Sequence, residues 1–213
     1  MKFLIDSANI SNIDKAIKMG VAGVTANPSM YAKEKVNFYS FIQHIRKCTA
    51  GIVTAEVMED SIDKMLKDAE KIIGISKDIV IKVNFSPRGL EFVKKLNKMG
   101  IKTAMTLVFS VSQAMLAIEA GVDYIFFFIG RNENIGVNGL ETLKCICSIT
   151  KENEYKTKIV AASIKNPYHV EEAAKFGADY AAIPYDMLNK VCYNSLTEEG
   201  AADFTKAWEK LEV

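Results

Sequence analysis

The run Asp78-Ile79-Val80-Ile81-Lys82-Val83 decides how the rest of the chain is read. A strand this rich in Val and Ile, flanked by helical patterns, belongs to a parallel sheet buried on both faces. The lysine near its end is the anomaly. Burial disfavours the charged form of an amine, and a neutral amine is the nucleophile that forms a Schiff base with a carbonyl substrate. The plainer alternative is a strand-end lysine that snorkels to water or pairs with a carboxylate.

Moving outward, apolar runs alternate with helical-period segments along the whole sequence. Strands are predicted at 2–6, 21–25, 52–57, 78–83, 102–108, 123–129, 157–162 and 179–184. Helices are predicted near 10–19, 36–47, 61–75, 87–98, 111–119, 138–150, 168–175 and 186–193, with a C-terminal helix at about 199–211. Eight strand–helix pairs in 213 residues, about 27 each, predict an α/β chain folded as one (β/α)8 TIM barrel over 1–213, plus that extra helix. Gly20, Gly100, Gly121 and Gly177 each end a helical pattern just before a strand, where a left-handed cap is needed. Two of these joints repeat, Gly121-Val122-Asp123-Tyr124 and Gly177-Ala178-Asp179-Tyr180. An open doubly wound sheet is the competing fold, but it usually has fewer strands.

Composition narrows the function classes. The net charge is +1, from 27 basic and 26 acidic residues, with no basic or acidic block to suggest a nucleic-acid or membrane partner. No apolar stretch approaches the roughly 20 residues of a membrane span. The N-terminus enters a strand at once, so no signal peptide is expected and the cytoplasm is the expected compartment. Cys48, Cys145, Cys147 and Cys192 are scattered, which suits reduced thiols. With His44 and His169 the only histidines, a metal site would need clustered carboxylates that the sequence does not offer, so neither a metal site nor a cofactor is expected.

In a barrel, chemistry sits where strands run out into the following loops. Those positions hold Asp6, Thr25 and Asn27, Glu56, Lys82, Thr106, Arg131, Ser163 and Lys165. Each also has a structural reading. Asp6 can be a turn or cap residue, Asn27-Pro28-Ser29 a chain break, and Thr106 a backbone partner. Ser86-Pro87 reads as a helix start, and Ser110 with Gln113 as a capping box. Glu56 lies in an apolar strand, where a carboxylate must be paired or protonated. With Lys82 it is either a structural ion pair or an acid/base beside a nucleophile. Asn166-Pro167 marks a helix start that favours an anion, and Ser163, Lys165 and Arg131 could complete a phosphate clamp. Ordinary surface cations are the alternative.

Six ordered segments resemble the small-subunit transaldolase/fructose-6-phosphate aldolase family of Schiff-base enzymes: Phe3 to Asn9, Gly23 to Ser29, Ala55 to Val57, Val80 to Val83, Thr106 to Ser110 and Ala161 to Lys165. The resemblance implies a (β/α)8 barrel with no metal or cofactor, acting on small-molecule sugar phosphates. It further implies a homo-oligomer, pentamer or decamer, in which the C-terminal helix with Phe204 and Trp208 reaches over a neighbour. By resemblance Lys82 is the Schiff-base lysine, while Glu56, Asp6 and Thr106 hold a catalytic water. Asn27, with Thr25, lies toward the dihydroxyacetone part of the substrate, and Arg131, Ser163 and Lys165 are phosphate positions. Glu56 and Phe128 stand where the aldolases of the family commonly carry Gln and Tyr, which points to transaldolase. Ala26, Asn84, Ser86, Ala104 and Phe126-Phe127 depart from the family pattern, and Ala104 and Phe126 remove polar groups expected near substrate hydroxyls.

The expected activity is transfer of a dihydroxyacetone unit from a ketose phosphate such as fructose 6-phosphate to an aldose phosphate, in the pentose phosphate pathway. The alternatives are cleavage that releases free dihydroxyacetone, or a non-catalytic barrel that binds sugar phosphates or serves as a scaffold.

Overall fold

In a computed structural model describing residues 1–211, eight parallel strands close into a barrel in sequence order. They are β1 (Lys2–Asp6), β2 (Gly23–Thr25), β3 (Ile52–Val57), β4 (Val80–Asn84), β5 (Thr103–Val108), β6 (Tyr124–Phe128), β7 (Lys158–Ala162) and β8 (Tyr180–Ile183). The seam is closed by β1 against β8, with Leu4 opposite Ala182. The predicted fold class is therefore correct, and each predicted strand is present. Residues 212 and 213, the last of the expected barrel domain, lie outside the described residues.

The β4 run shows why the sequence reads as buried on both sides. Ile79, Ile81 and Val83 pack outward into the layer shared with the helices. Val80 faces the barrel interior with Leu4, Ala104, Phe126, Val160, Ala162 and Ala182. Lys82, two residues on from Val80, shares its inward parity and is 3% exposed.

Helices wrap the barrel as α1 (Ile10–Lys18), α2 (Pro28–Glu34), α3 (Phe38–Cys48), α4 (Ile62–Ile75), α5 (Pro87–Lys98), α6 (Val111–Ala120), α7 (Ile129–Glu133), α8 (Gly139–Glu152), α9 (Pro167–Lys175), α10 (Tyr185–Cys192) and α11 (Ser195–Trp208). The predicted glycine caps hold, with φ of +88°, +69°, +86° and +84° at Gly20, Gly100, Gly121 and Gly177. The repeated Gly-x-Asp-Tyr joints are latches at the floor of the barrel. Asp123 accepts a hydrogen bond from Thr103 N (2.7 Å), and Asp179 one from Ile159 N (2.9 Å). Tyr124 and Tyr180 meet edge to face, their ring centres 6.0 Å apart.

Four predictions need correction. Residues 28–34, where no helix is predicted and Asn27-Pro28-Ser29 could be a simple chain break, form α2, because Asn27 caps it by accepting from Met30 N and Pro28 presets its first turn. Strand six stops at Phe128, and Arg131 lies in α7 rather than at a strand end. Only Gly fits at 130, where a Cβ would come within 2.5 Å of Ser163 O and of Lys165 Cγ, so α7 lies directly on the loop after β7. The C-terminal helix begins at Ser195, not 199, since Asn194 Oδ1 accepts from Leu196 N (2.9 Å).

Candidate active site

At the carboxyl ends of the strands lies a cavity of about 210 Å³ lined by Asp6, Thr25, Asn27, Met30, Lys82, Thr106, Phe126, Phe128, Arg131, Ala162, Ser163, Ile164, Lys165, Ala182 and Pro184. Of the candidate catalytic and substrate-binding residues, all line it except Glu56. The register explains that exception. Glu56 is directly opposite Lys82 across the β3–β4 pair, and Ala104 is opposite Lys82 on the other side. Glu56 therefore stands beside the lysine, with its Oε2 3.1 Å from Lys82 Nζ and both side chains about 5% exposed or less. The contact is ionic, and its angle leaves Glu56 Oε2 without a hydrogen bond.

The rest of the lysine's surroundings are polar toward β2 and apolar toward β6. Lys82 Nζ donates to the Ala26 carbonyl and, at 3.4 Å, to Thr25 Oγ1, which is itself 2.7 Å from Thr54 Oγ1. On the far side the ammonium lies 5.4 Å from the centre of the Phe126 ring. This settles a point that the sequence of one strand leaves open, because Phe126 faces into the barrel, as does fully buried Ala104. The floor between β5 and β8 is thus carbon-lined: Ala104, Phe126, Ala162 and Ala182.

Asp6, at the end of β1, has its carboxyl pushed up to about 6 by burial; the Lys82 charge pulls it down and the Glu56 charge pushes it up. Tyr31, on α2, is a residue the sequence reading missed. Its buried hydroxyl has no hydrogen-bond partner among the described residues. Burial raises its pKa, and the charges of Glu56 and Asp6 add to the rise. Its signal was the helix start at Asn27-Pro28, the same cap-plus-proline pattern that was recognised at Ser86-Pro87.

Asn27 serves two ends. Its Oδ1 caps α2, which leaves its amide nitrogen free to donate toward the cavity. Ser86 and Ser110 are caps as expected, and Gln113 completes the second box by accepting from Phe109 N (2.8 Å) rather than from the cap residue itself. Beside Thr106 the β5–β6 register shifts, and Leu107 sits at φ +57°. Such bulges re-aim side chains next to active sites.

A second pole faces Lys82 across the cavity. Arg131, on α7, stacks over Phe128 with its guanidinium carbon 5.0 Å from the ring centre. Gly130 N donates to Ser163 O at 3.1 Å, which ties α7 to the loop carrying Ser163 and Lys165, and Ser163 itself is left-handed at φ +56°. Behind them is buried His169. Its Nδ1 accepts weakly from Lys165 N (3.4 Å), and its Nε2 lies 3.1 Å from Glu133 Oε2 on α7. Among the described residues neither Arg131 nor Lys165 is paired with a carboxylate, so both charges are free to meet an anion.

A closed parallel barrel with its ionisable and hydroxyl-bearing side chains gathered at the carboxyl ends of the strands is the arrangement of a barrel enzyme. Sequence comparison says which kind. The chain belongs to the transaldolase/fructose-6-phosphate aldolase family, whose sequence profile matches residues 3–213. It is 44% identical over 213 residues to a probable transaldolase of Desulfitobacterium hafniense, covering all of both chains. It is 42% identical over 211 residues to one of Geobacillus thermodenitrificans, covering 99% of each. Against one of Clostridioides difficile it is 42% identical over 210 residues, covering 98% of this chain and 97% of the other. The protein is accordingly an enzyme of the aldolase/transferase type. Among the described residues no helix is long and apolar enough to cross a membrane.

Proposed function

We propose that the chain is a transaldolase-type transferase that moves a dihydroxyacetone unit between sugar phosphates through a Schiff base on Lys82. One observation carries the reading. The buried amine of Lys82, set against Glu56, faces the same small cavity as two cations that lack carboxylate partners. A ketose phosphate fits that arrangement, with its phosphate at Arg131, Ser163 and Lys165 and its ketone at Nζ.

In this mechanism Lys82 Nζ attacks the ketone carbon, and the carbinolamine loses water to give the iminium. The C3–C4 bond then breaks, its electron pair flows into the iminium to form an enamine, and an aldose phosphate departs. The enamine carbon attacks the aldehyde of an acceptor aldose phosphate, and water releases the new ketose. Glu56, within reach of Nζ, and Asp6, whose carboxyl titrates near neutrality, are suited to pass these protons, through a water shared with Thr106. Phe128 lines the cavity without a proton to give, which favours transfer of the enamine over its protonation.

Borohydride trapping with fructose 6-phosphate, followed by peptide mass spectrometry, tests the reading. The expected result is an adduct on the Lys82 peptide that is absent in Lys82→Met. A folded protein that gives no adduct with several ketose phosphates would overturn it. An assay for free dihydroxyacetone without acceptor aldehyde separates transfer from cleavage. Release as fast as transfer would favour the aldolase reading.

The same proposal includes a cytoplasmic homo-oligomer. α11 buries none of its residues on its own chain, and Phe204 (79%) and Trp208 (66%), four residues apart, are exposed on one side of it. A neighbouring copy would cover that face. Light scattering should find an oligomer that Phe204→Ser with Trp208→Ser dissociates; a monomeric native protein would refute it.

A further inference from the structure

Away from the cavity, three side chains with metal-binding chemistry meet on the outer helices. His44 and Cys48 stand one turn apart on α3, with Nε2 3.4 Å from Sγ. Asp14 reaches them from α1, and the three ligand atoms all lie within 4.8 Å of one another. In the sequence no carboxylate stands near His44. The fold supplies one: Asp14 of α1 comes within 4.8 Å of the ligand atoms of His44 and Cys48 on α3, across β2 and α2 in sequence. None of the three lines the catalytic cavity.

We propose that Asp14, His44 and Cys48 form a zinc(II) site that clips α1 to α3, with water as the fourth ligand. The geometry of the His–Cys edge is already that of a metal site. Zinc bonds of about 2.3 Å to sulfur and about 2.05 Å to nitrogen, at the tetrahedral angle, place the two ligand atoms about 3.5 Å apart. The carboxylate needs to close by at most about 1.3 Å to reach the same separation, a movement within side-chain torsion. The donor set selects the ion. A thiolate and an imidazole suit zinc, whereas magnesium and calcium require oxygen ligands throughout. Charge balances as well: the thiol gives up its proton to solvent, and thiolate plus carboxylate neutralise the dication. Asp14 forms no ion pair with a lysine or arginine among the described residues, so its charge is not already spent. The competing account of the 3.4 Å contact is a weak hydrogen bond between thiol and imidazole.

Cobalt(II) titration of the reduced full-length protein distinguishes the two. The expected signature is a thiolate-to-cobalt charge-transfer band with tetrahedral d–d absorption, saturating at one ion per chain and bleached by zinc. Cys48→Ser should remove the charge-transfer band, and Asp14→Asn and His44→Ala should each weaken zinc binding by roughly tenfold or more. Added zinc should raise the melting temperature of the native protein and not that of Cys48→Ser. Unchanged circular dichroism in the variants keeps a lost site distinct from a lost fold. Absence of the band in the native protein would overturn the proposal. So would a band that persists in Cys48→Ser, since it would come from exposed Cys145 or Cys192. Zinc affinity unchanged in both Asp14→Asn and His44→Ala would overturn it too.

Discussion

Replacing Asp6 by asparagine should make the protein more stable and less active, and the stability gain should depend on pH in a defined way. The carboxyl is held at about 6 in the fold against an ordinary 3.8, with burial the leading cause. Each unit is worth about 1.36 kcal/mol, so a rise of about two units amounts to about 3 kcal/mol. The native state binds this proton more tightly than the unfolded chain. The associated stability is therefore complete below the unfolded value and is lost as pH rises through the folded one. Above that, the native protein carries a half-buried ionised carboxylate that the amide replaces at no charge cost. Asp6→Asn should match the wild type in acid below about pH 3 and exceed it by up to about 3 kcal/mol near pH 8. Urea unfolding of both proteins at matched concentration across this range measures the difference. Turnover of the variant should fall by roughly a hundredfold or more if the carboxyl passes protons. A stability difference that stays flat across the range, or favours the wild type at alkaline pH, would show that Asp6 is held by compensating hydrogen bonds and would refute the reasoning.

Other outcomes follow from the same site. Lys82→Met removes the partner of a buried carboxylate, which should cost about 3 kcal/mol at neutral pH, and adding Glu56→Gln should recover most of it; equal stabilities by urea unfolding would mean that the pair is already relaxed by water. Tyr31→Phe discards an unpartnered buried hydroxyl and should stabilise the protein by about 1 kcal/mol in the same assay, whereas a loss would reveal a partner such as a buried water. His169→Phe cuts the bridge between α7 and α9, so the KM for a phosphorylated donor should rise about fivefold with kcat nearly unchanged. Steady-state kinetics with an unphosphorylated donor should show no such rise. Ala104→Asn combined with Phe126→Ser restores hydroxyl partners on the carbon-lined floor and should improve kcat/KM for fructose 6-phosphate by roughly fivefold or more. No gain would place the donor's hydroxyls on the Asp6 and Asn27 side.

The barrel was legible because its evidence is periodic. Strand and helix patterns repeat, and the four glycines before strands mark joints that only a left-handed cap satisfies. α2 and α7 were not legible from periodicity, since seven and five residues hold too few turns for a 3.6-residue period to show, although α2 carried a cap-plus-proline start at Asn27-Pro28. The candidate residues Lys82 and Glu56 stood out because a charge inside an apolar strand has few innocent explanations. Phe126 could not be oriented, because inward and outward differ by one residue of register and three consecutive phenylalanines satisfy either choice. Asp14, His44 and Cys48 escaped for another reason: no spacing within one segment brings α1 against α3.

The seam between β1 and β8 carries a cost in time. Lys2 to Ile5 pair with Tyr180 to Ile183, so the first strand made has one edge with no partner until nearly the whole chain exists. At about 5–20 residues per second of synthesis, that edge waits roughly 10–35 s on the ribosome. A β2 of three residues offers little early shelter on the other side. Contacts this distant in sequence slow folding and leave the nascent sheet open to strangers. The ring that gives eight strand ends one shared centre therefore makes its first strand wait for its last.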